Sequence, residues 1–130
     1  MGKSIESALP WLDCAMSTKS TEHLRRICLA LPEAEERETW ERPTYRVRSK
    51  IFAMEVDDDG RPAAWFKAPS GSQEVLVGSD PKRFFVPPYV GHKGWVGMWL
   101  DRRADWDEVD LLIRRSYRLI APKRLGKQIE

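Results

Sequence analysis

The chain has 130 residues and a mass of 15.1 kDa, enough for one hydrophobic core and too little for two. Hydrophobic residues make up 42% and charged residues 32%, which excludes a disordered polymer, a collagen-like fibre and a membrane span. The 22 Lys+Arg against 20 Asp+Glu leave a formal charge of +2, well below the basic excess that marks a dedicated nucleic-acid binder.

Residues 1–19 are expected to form a disordered N-terminal extension, residues 20–126 one domain and residues 127–130 a tail. Met16, followed by Ser17, Thr18 and Lys19, reads as an alternative start. Pro10 and Asp13 interrupt what would be the apolar run of a signal peptide, and Glu6 stands where a myristoylation motif needs Ser or Thr. The expected compartment is the cytoplasm. Cys14 and Cys28 lie near no second Cys or His at zinc spacing, so no metal, cofactor or disulfide framework is expected.

Leu24, Ile27, Cys28 and Leu31 fall at i, i+3, i+4 and i+7, which predicts a helix over Thr21 to Leu31 that Pro32 ends. Glu33, Glu35, Glu36, Glu38 and Glu41 then surround Arg37 and read as an acidic linker. Runs rich in aromatic and β-branched residues follow at Thr44 to Arg48, Ile51 to Val56 and Ala63 to Lys67. They predict an antiparallel meander, its second turn being Asp57-Asp58-Asp59-Gly60. Period two places Ile51, Ala53 and Glu55 on one face and Phe52, Met54 and Val56 on the face that meets the helices.

Ser70 with Gln73 reads as a capping box for a short helix ending at Gly78. Phe84 to Val86 and Tyr89 to Leu100 predict two further strands around a glycine-bearing turn. Asp105 with Glu108 is a second capping box, after which Trp106, Val109, Ile113, Tyr117 and Ile120 run at helical spacing until Pro122. The fold class is therefore α+β: an antiparallel sheet of about five strands packed against N- and C-terminal helices.

Catalytic chemistry has little to build on. The two histidines, His23 and His92, announce no triad, and Gly91, Gly94 and Gly97 lack the strand-to-helix context of a phosphate loop. No catalytic residue is assigned, and a non-enzymatic role is expected. The constellation with a functional reading is cationic. Arg46 and Arg48 alternate onto one strand face, Lys50 follows at the turn, and His92 with Lys93 occupies a second tip. From Leu111 to Ile129 the chain carries six basic residues and no acid, including Lys123 and Arg124. Together these predict weak, sequence-independent binding of DNA through its phosphates by a monomer with no membrane role. A rival reading is a small-ligand or protein-binding groove built from Tyr45, Trp65, Tyr89 and Trp95. A third gives the stretch Glu33 to Glu41 a cation or a basic partner.

The elements Arg42-Pro43-Thr44-Tyr45, Lys50-Ile51-Phe52-Ala53, Pro87-Pro88-Tyr89-Val90-Gly91-His92-Lys93-Gly94-Trp95-Val96 and Ala121-Pro122-Lys123-Arg124 resemble the MmcQ/YjbR-like family over about Leu24 to Leu125. The resemblance implies an α+β fold of double-wing, frataxin-like topology, with two hairpin wings suited to DNA; it carries no catalytic residue across. The chain departs from the family pattern at Glu41, where glycine is usual, and at Arg48-Ser49, where the first hairpin often has Asn-Gly.

Overall fold

The computed structural model describes residues 11–39, 42–58, 60–101 and 104–129. Helix α1 spans Trp11–Leu29, and Leu24, Cys28 and the following Leu31 are buried in the core, as their spacing predicts. It begins upstream of Thr21. Of the extension expected over residues 1–19, residues 1–10 lie outside the described residues.

Four strands follow: β1 Ala34–Thr39, β2 Arg42–Val47, β3 Lys50–Asp58 and β4 Arg61–Lys67. Helix α2 covers Ser72–Ser79, β5 Phe84–Phe85, a 3-10 turn Gly91–Lys93, β6 Trp95–Trp99, α3 Trp106–Ile120 and α4 Lys123–Lys127. The sheet is antiparallel in the order β1-β2-β3-β4-β6-β5. It has six strands where the sequence predicts about five, because the acidic segment is an edge strand and not a linker. The four central side chains of β1 are exposed, so no apolar alternation betrays it; its ladder to β2 alone makes it a strand. A charged edge of this kind also resists pairing with other chains.

The face assignment of β3 also differs from expectation. Tyr45 pairs with Ala53 but Arg46 pairs with Ile51, so Phe52 is an extra residue, a β-bulge. Phe52 and Ala53 consequently both enter the core under the helices, and the alternation inverts beyond them. Glu55 then meets Thr21 of α1, while Val56 lies on the open face beside Trp65.

Helix α3 forms as its pattern predicts. The Asp105 carboxylate accepts from the backbone N–H of Asp107 (3.1 Å) and Glu108 (3.3 Å), and Val109, Leu112, Ile113 and Tyr117 are buried against the sheet. Ser116 is buried with them: its hydroxyl donates to Phe52 O (2.6 Å) and accepts from Lys67 N (2.9 Å). The Tyr117 hydroxyl donates to Pro32 O at 2.6 Å, closing the end of α1 onto the core. His23 stacks on Trp106 at 3.9 Å between ring centroids, joining α1 to the start of α3. At α2 the predicted capping box does not form. Gly71, in the left-handed region, is the N-cap, and the Gln73 amide is taken up by Gly91 O and Trp95 O, both at 2.7 Å.

Glu55 is 8% exposed and accepts a hydrogen bond from the Thr21 hydroxyl. Burial pushes its carboxyl up, with Asp57 and Glu36 adding to that, while Thr21 and Arg42 oppose it. A carboxyl that holds its proton more tightly in the folded state contributes stability at low pH and loses it as pH rises through the folded-state value. Glu55→Gln is therefore expected to raise the melting temperature at about pH 7 and to converge with wild type below about pH 4, near the ordinary glutamate range. Paired thermal melts across that range check this; a variant less stable than wild type at neutral pH contradicts it.

Candidate nucleic-acid interface

Antiparallel register brings three basic segments to one end of the sheet. Lys50 lies across from Val47, beside the two-residue turn Arg48-Ser49, and the same end of β4 carries Lys67. Lys67 pairs with Trp95, which the 3-10 turn bearing His92 and Lys93 immediately precedes. Ser116, held between Phe52 and Lys67, brings the C-terminus of α3 there too, and α4 with Lys123 and Arg124 follows. Lys50, His92, Lys93, Lys123 and Arg124 are all exposed, and none of them makes an ion pair among the described residues.

The two arginines of the first hairpin behave differently from the expectation. Arg48 (φ 53°) and Ser49 (φ 70°) are both left-handed, as a type I′ turn demands, in place of the Asn-Gly that adopts this shape most readily. The turn carries Arg48 away from the face of Arg46 and towards Glu33. Arg48 Nε and Nη2 donate to the two carboxylate oxygens of Glu33 at 2.7 and 3.3 Å. That hydrogen bond holds the Glu33 carboxyl below its usual range, and Arg124 nearby adds to the effect. Arg46 instead donates to Thr39 Oγ1 (3.0 Å), Thr44 Oγ1 (3.3 Å) and Ser49 O (3.3 Å). The two arginines therefore do not share a face: Arg46 is tied down, and Arg48 is at the basic end but matched by a carboxylate.

A residue that the sequence reading passed over, Lys67, belongs to the same end. With His92, Lys93, Gly71 and Gln73 it lines a cavity of about 550 Å³, and its Nζ donates to Lys93 O at 3.3 Å. Its only sequence signal is its position as the last residue of a strand. Glu74 is the acid on this rim.

The rival groove does not assemble as expected. Tyr45 is fully buried on the helix-covered face, and its hydroxyl has no partner among the described residues. Trp65 points to the opposite face, where it lines a separate cavity with Phe85, and Tyr89 is 87% exposed. Strand alternation puts Tyr45 on the face opposite Trp65 and Trp95, so Tyr45, Trp65, Tyr89 and Trp95 form no single wall. The acidic stretch is engaged by arginines: Glu33 by Arg48, Glu36 by Arg25 (2.6 Å) and Glu35 by Arg37 (3.4 Å). No helix among the described residues is long and apolar enough to cross a membrane.

Comparison with known proteins agrees with this architecture. A family model described as YjbR matches residues 29–119. The crystal structure of a Deinococcus radiodurans protein with a DUF419 domain superposes with a TM-score of 0.71 at 22% identity, covering 84% of this chain and 86% of that one. At that identity the likeness is one of fold. No curated protein matches the chain.

Proposed function

The chain belongs to the YjbR family, and on that footing we propose that it is a non-enzymatic protein that binds the DNA phosphate backbone at the basic end of its sheet. The contacts are Lys50, Lys67, His92, Lys93, Lys123 and Arg124, with Arg48 available when Glu33 is displaced. One observation carries this reading: the β2–β3 turn, the 3-10 turn and α4, far apart in sequence, share one end of the molecule. Bulk charge is nearly balanced, so the attraction must come from this local excess. Contacts to phosphates position a protein on a duplex without reading its bases.

Anisotropy titrations of a labelled duplex at several salt concentrations test the proposal. With four or five phosphates neutralised, log affinity is expected to fall against log salt with a slope of about −4. The triple variant Lys50→Ala, Lys93→Ala, Lys123→Ala is expected to bind more than tenfold more weakly at low salt and to lose about 3 units of slope magnitude. Arg46→Ala, whose guanidinium is already taken up by Thr39, Thr44 and Ser49, is expected to match wild type. Absence of binding at low salt, or a triple variant with the wild-type slope, overturns the assignment.

A further inference from the structure

The cavity of about 550 Å³ at the basic end is bordered by four elements: the last residue of β4, the first turn of α2, the 3-10 turn and the last turn of α3, through Lys67, Gln73, His92 and Leu119. Its walls are pinned. The Gln73 amide donates to both Gly91 O and Trp95 O at 2.7 Å, fixing α2 to the opposite side. Gly94, at φ 85°, turns the chain from the 3-10 turn into β6. Gly91 packs so closely on the loop before it that an added Cβ would come 2.5 Å from Val86 Cγ1. Lys67 Nζ donates to Lys93 O, so the strand end and the turn are joined as well. A space framed in this way is pre-formed, and its volume falls within the about 300–1,000 Å³ of ligand pockets.

The charge around the cavity favours a phosphate with free oxygens. Lys67, His92 and Lys93 border it against a single acid, Glu74, which is exposed on the rim. Lys67 is half-buried, so its attraction is screened less than that of an exposed lysine, and its ammonium spends one of three donors on Lys93 O. A phosphate inside a strand carries one charge and has chain on both sides. A phosphomonoester at the end of a strand carries about −1.5 to −2 near pH 7, offers three terminal oxygens and has chain on one side only. Beside two lysines the extra charge strengthens the attraction in proportion. A space bordered by four elements also admits a chain that leaves in one direction more readily than one that must pass through. Leu119, 43% exposed, gives the terminal sugar an apolar surface.

We propose, on the footing of the DNA binding assigned above, that this cavity takes the terminal phosphomonoester of a DNA strand, so that the protein favours phosphorylated ends over the interior of a duplex. Lys67 and Lys93 hold the terminal oxygens. Lys50, Lys123 and Arg124, outside the cavity, meet the phosphates of the strand that leads away.

Anisotropy titrations at about 50 mM salt compare one blunt duplex with hydroxyl ends, the same duplex phosphorylated at its 5′ or its 3′ ends, and thymidine 5′-monophosphate as competitor. At least one phosphorylated duplex is expected to bind about tenfold more tightly than the hydroxyl duplex. The free nucleotide, lacking the strand contacts, is expected to bind at least tenfold more weakly than that phosphorylated duplex. Lys123→Ala is expected to weaken both kinds of duplex alike and keep their ratio, whereas Lys67→Gln brings the ratio close to one. Should Lys67→Gln fail to fold, Ser70→Glu, an acid placed at an exposed lining position, decides by the same loss of ratio. Equal affinity for all ends, a ratio unchanged in the folded variants, or a free nucleotide as tight as the phosphorylated duplex overturns the binding of ends, and leaves backbone binding standing as long as the hydroxyl duplex binds. No binding of any duplex at low salt overturns both.

Discussion

Ser116→Ala is expected to lower the stability of the fold by about 2–3 kcal/mol, a drop of about 10 °C in melting temperature for a chain of this length. The serine hydroxyl is completely buried and serves two backbone groups at once, accepting from Lys67 N and donating to Phe52 O. Phe52 is the extra residue of the bulge in β3, and Lys67 closes β4, so each lies where the regular ladder lapses. Alanine removes a single oxygen and leaves little void, but it strands a buried donor and a buried acceptor together, and desolvation of both is then uncompensated. Thermal and urea melts check this. A loss under about 1 kcal/mol would mean that water or a shifted backbone serves those groups instead.

Gly97→Ala is expected to cost a comparable amount, about 2–3 kcal/mol, for a steric reason. The new methyl would occupy the place of the Phe85 ring, and Phe85 belongs to a two-residue strand whose other member, Phe84, is buried in the core. The ring has to swing outward and drag β5 with it, or β6 has to bend. Combining Gly97→Ala with Phe85→Ala separates these routes. Removing the ring relieves the clash, so the double variant should be at least about 1 kcal/mol more stable than the sum of the single effects predicts. Strict additivity would place the clash elsewhere.

Both predictions rest on groups that local sequence patterns pass over. Ser116 reads as one more residue in the amphipathic run from Trp106 to Ile120, and Gly97 as one member of a glycine series with Gly91 and Gly94. The meaning of each comes from a partner distant in sequence: Phe52 for Ser116, and Phe85, twelve positions away and on a different strand, for Gly97. The same holds for the cationic end. That Lys50, His92 and Lys93 sit at turns, and that Lys123 and Arg124 belong to a basic run around the Pro122 stop, is legible from turn chemistry and charge runs. That they meet at one end while Arg46 is tied down by Thr39, Thr44 and Ser49 and Arg48 is matched by Glu33 depends on strand register and on two left-handed turn residues.

What the amino-acid order determined by itself was whatever repeats within a few residues. The 3.6-residue stripes of α1 and α3, the Asp105 cap, the Pro122 stop and the β-branched runs of β2 to β4 each carry their structure in neighbours along the chain. Tertiary structure alone decided the rest. Edge strand β1 exists because β2 offers it a ladder, the faces of β3 invert because one bulged residue resets a period of two, and Gln73 leaves its own helix for carbonyls of a distant loop. In each case the deciding hydrogen bond or contact joins groups far apart in sequence, and no local periodicity encodes such a pairing before the chain closes on itself.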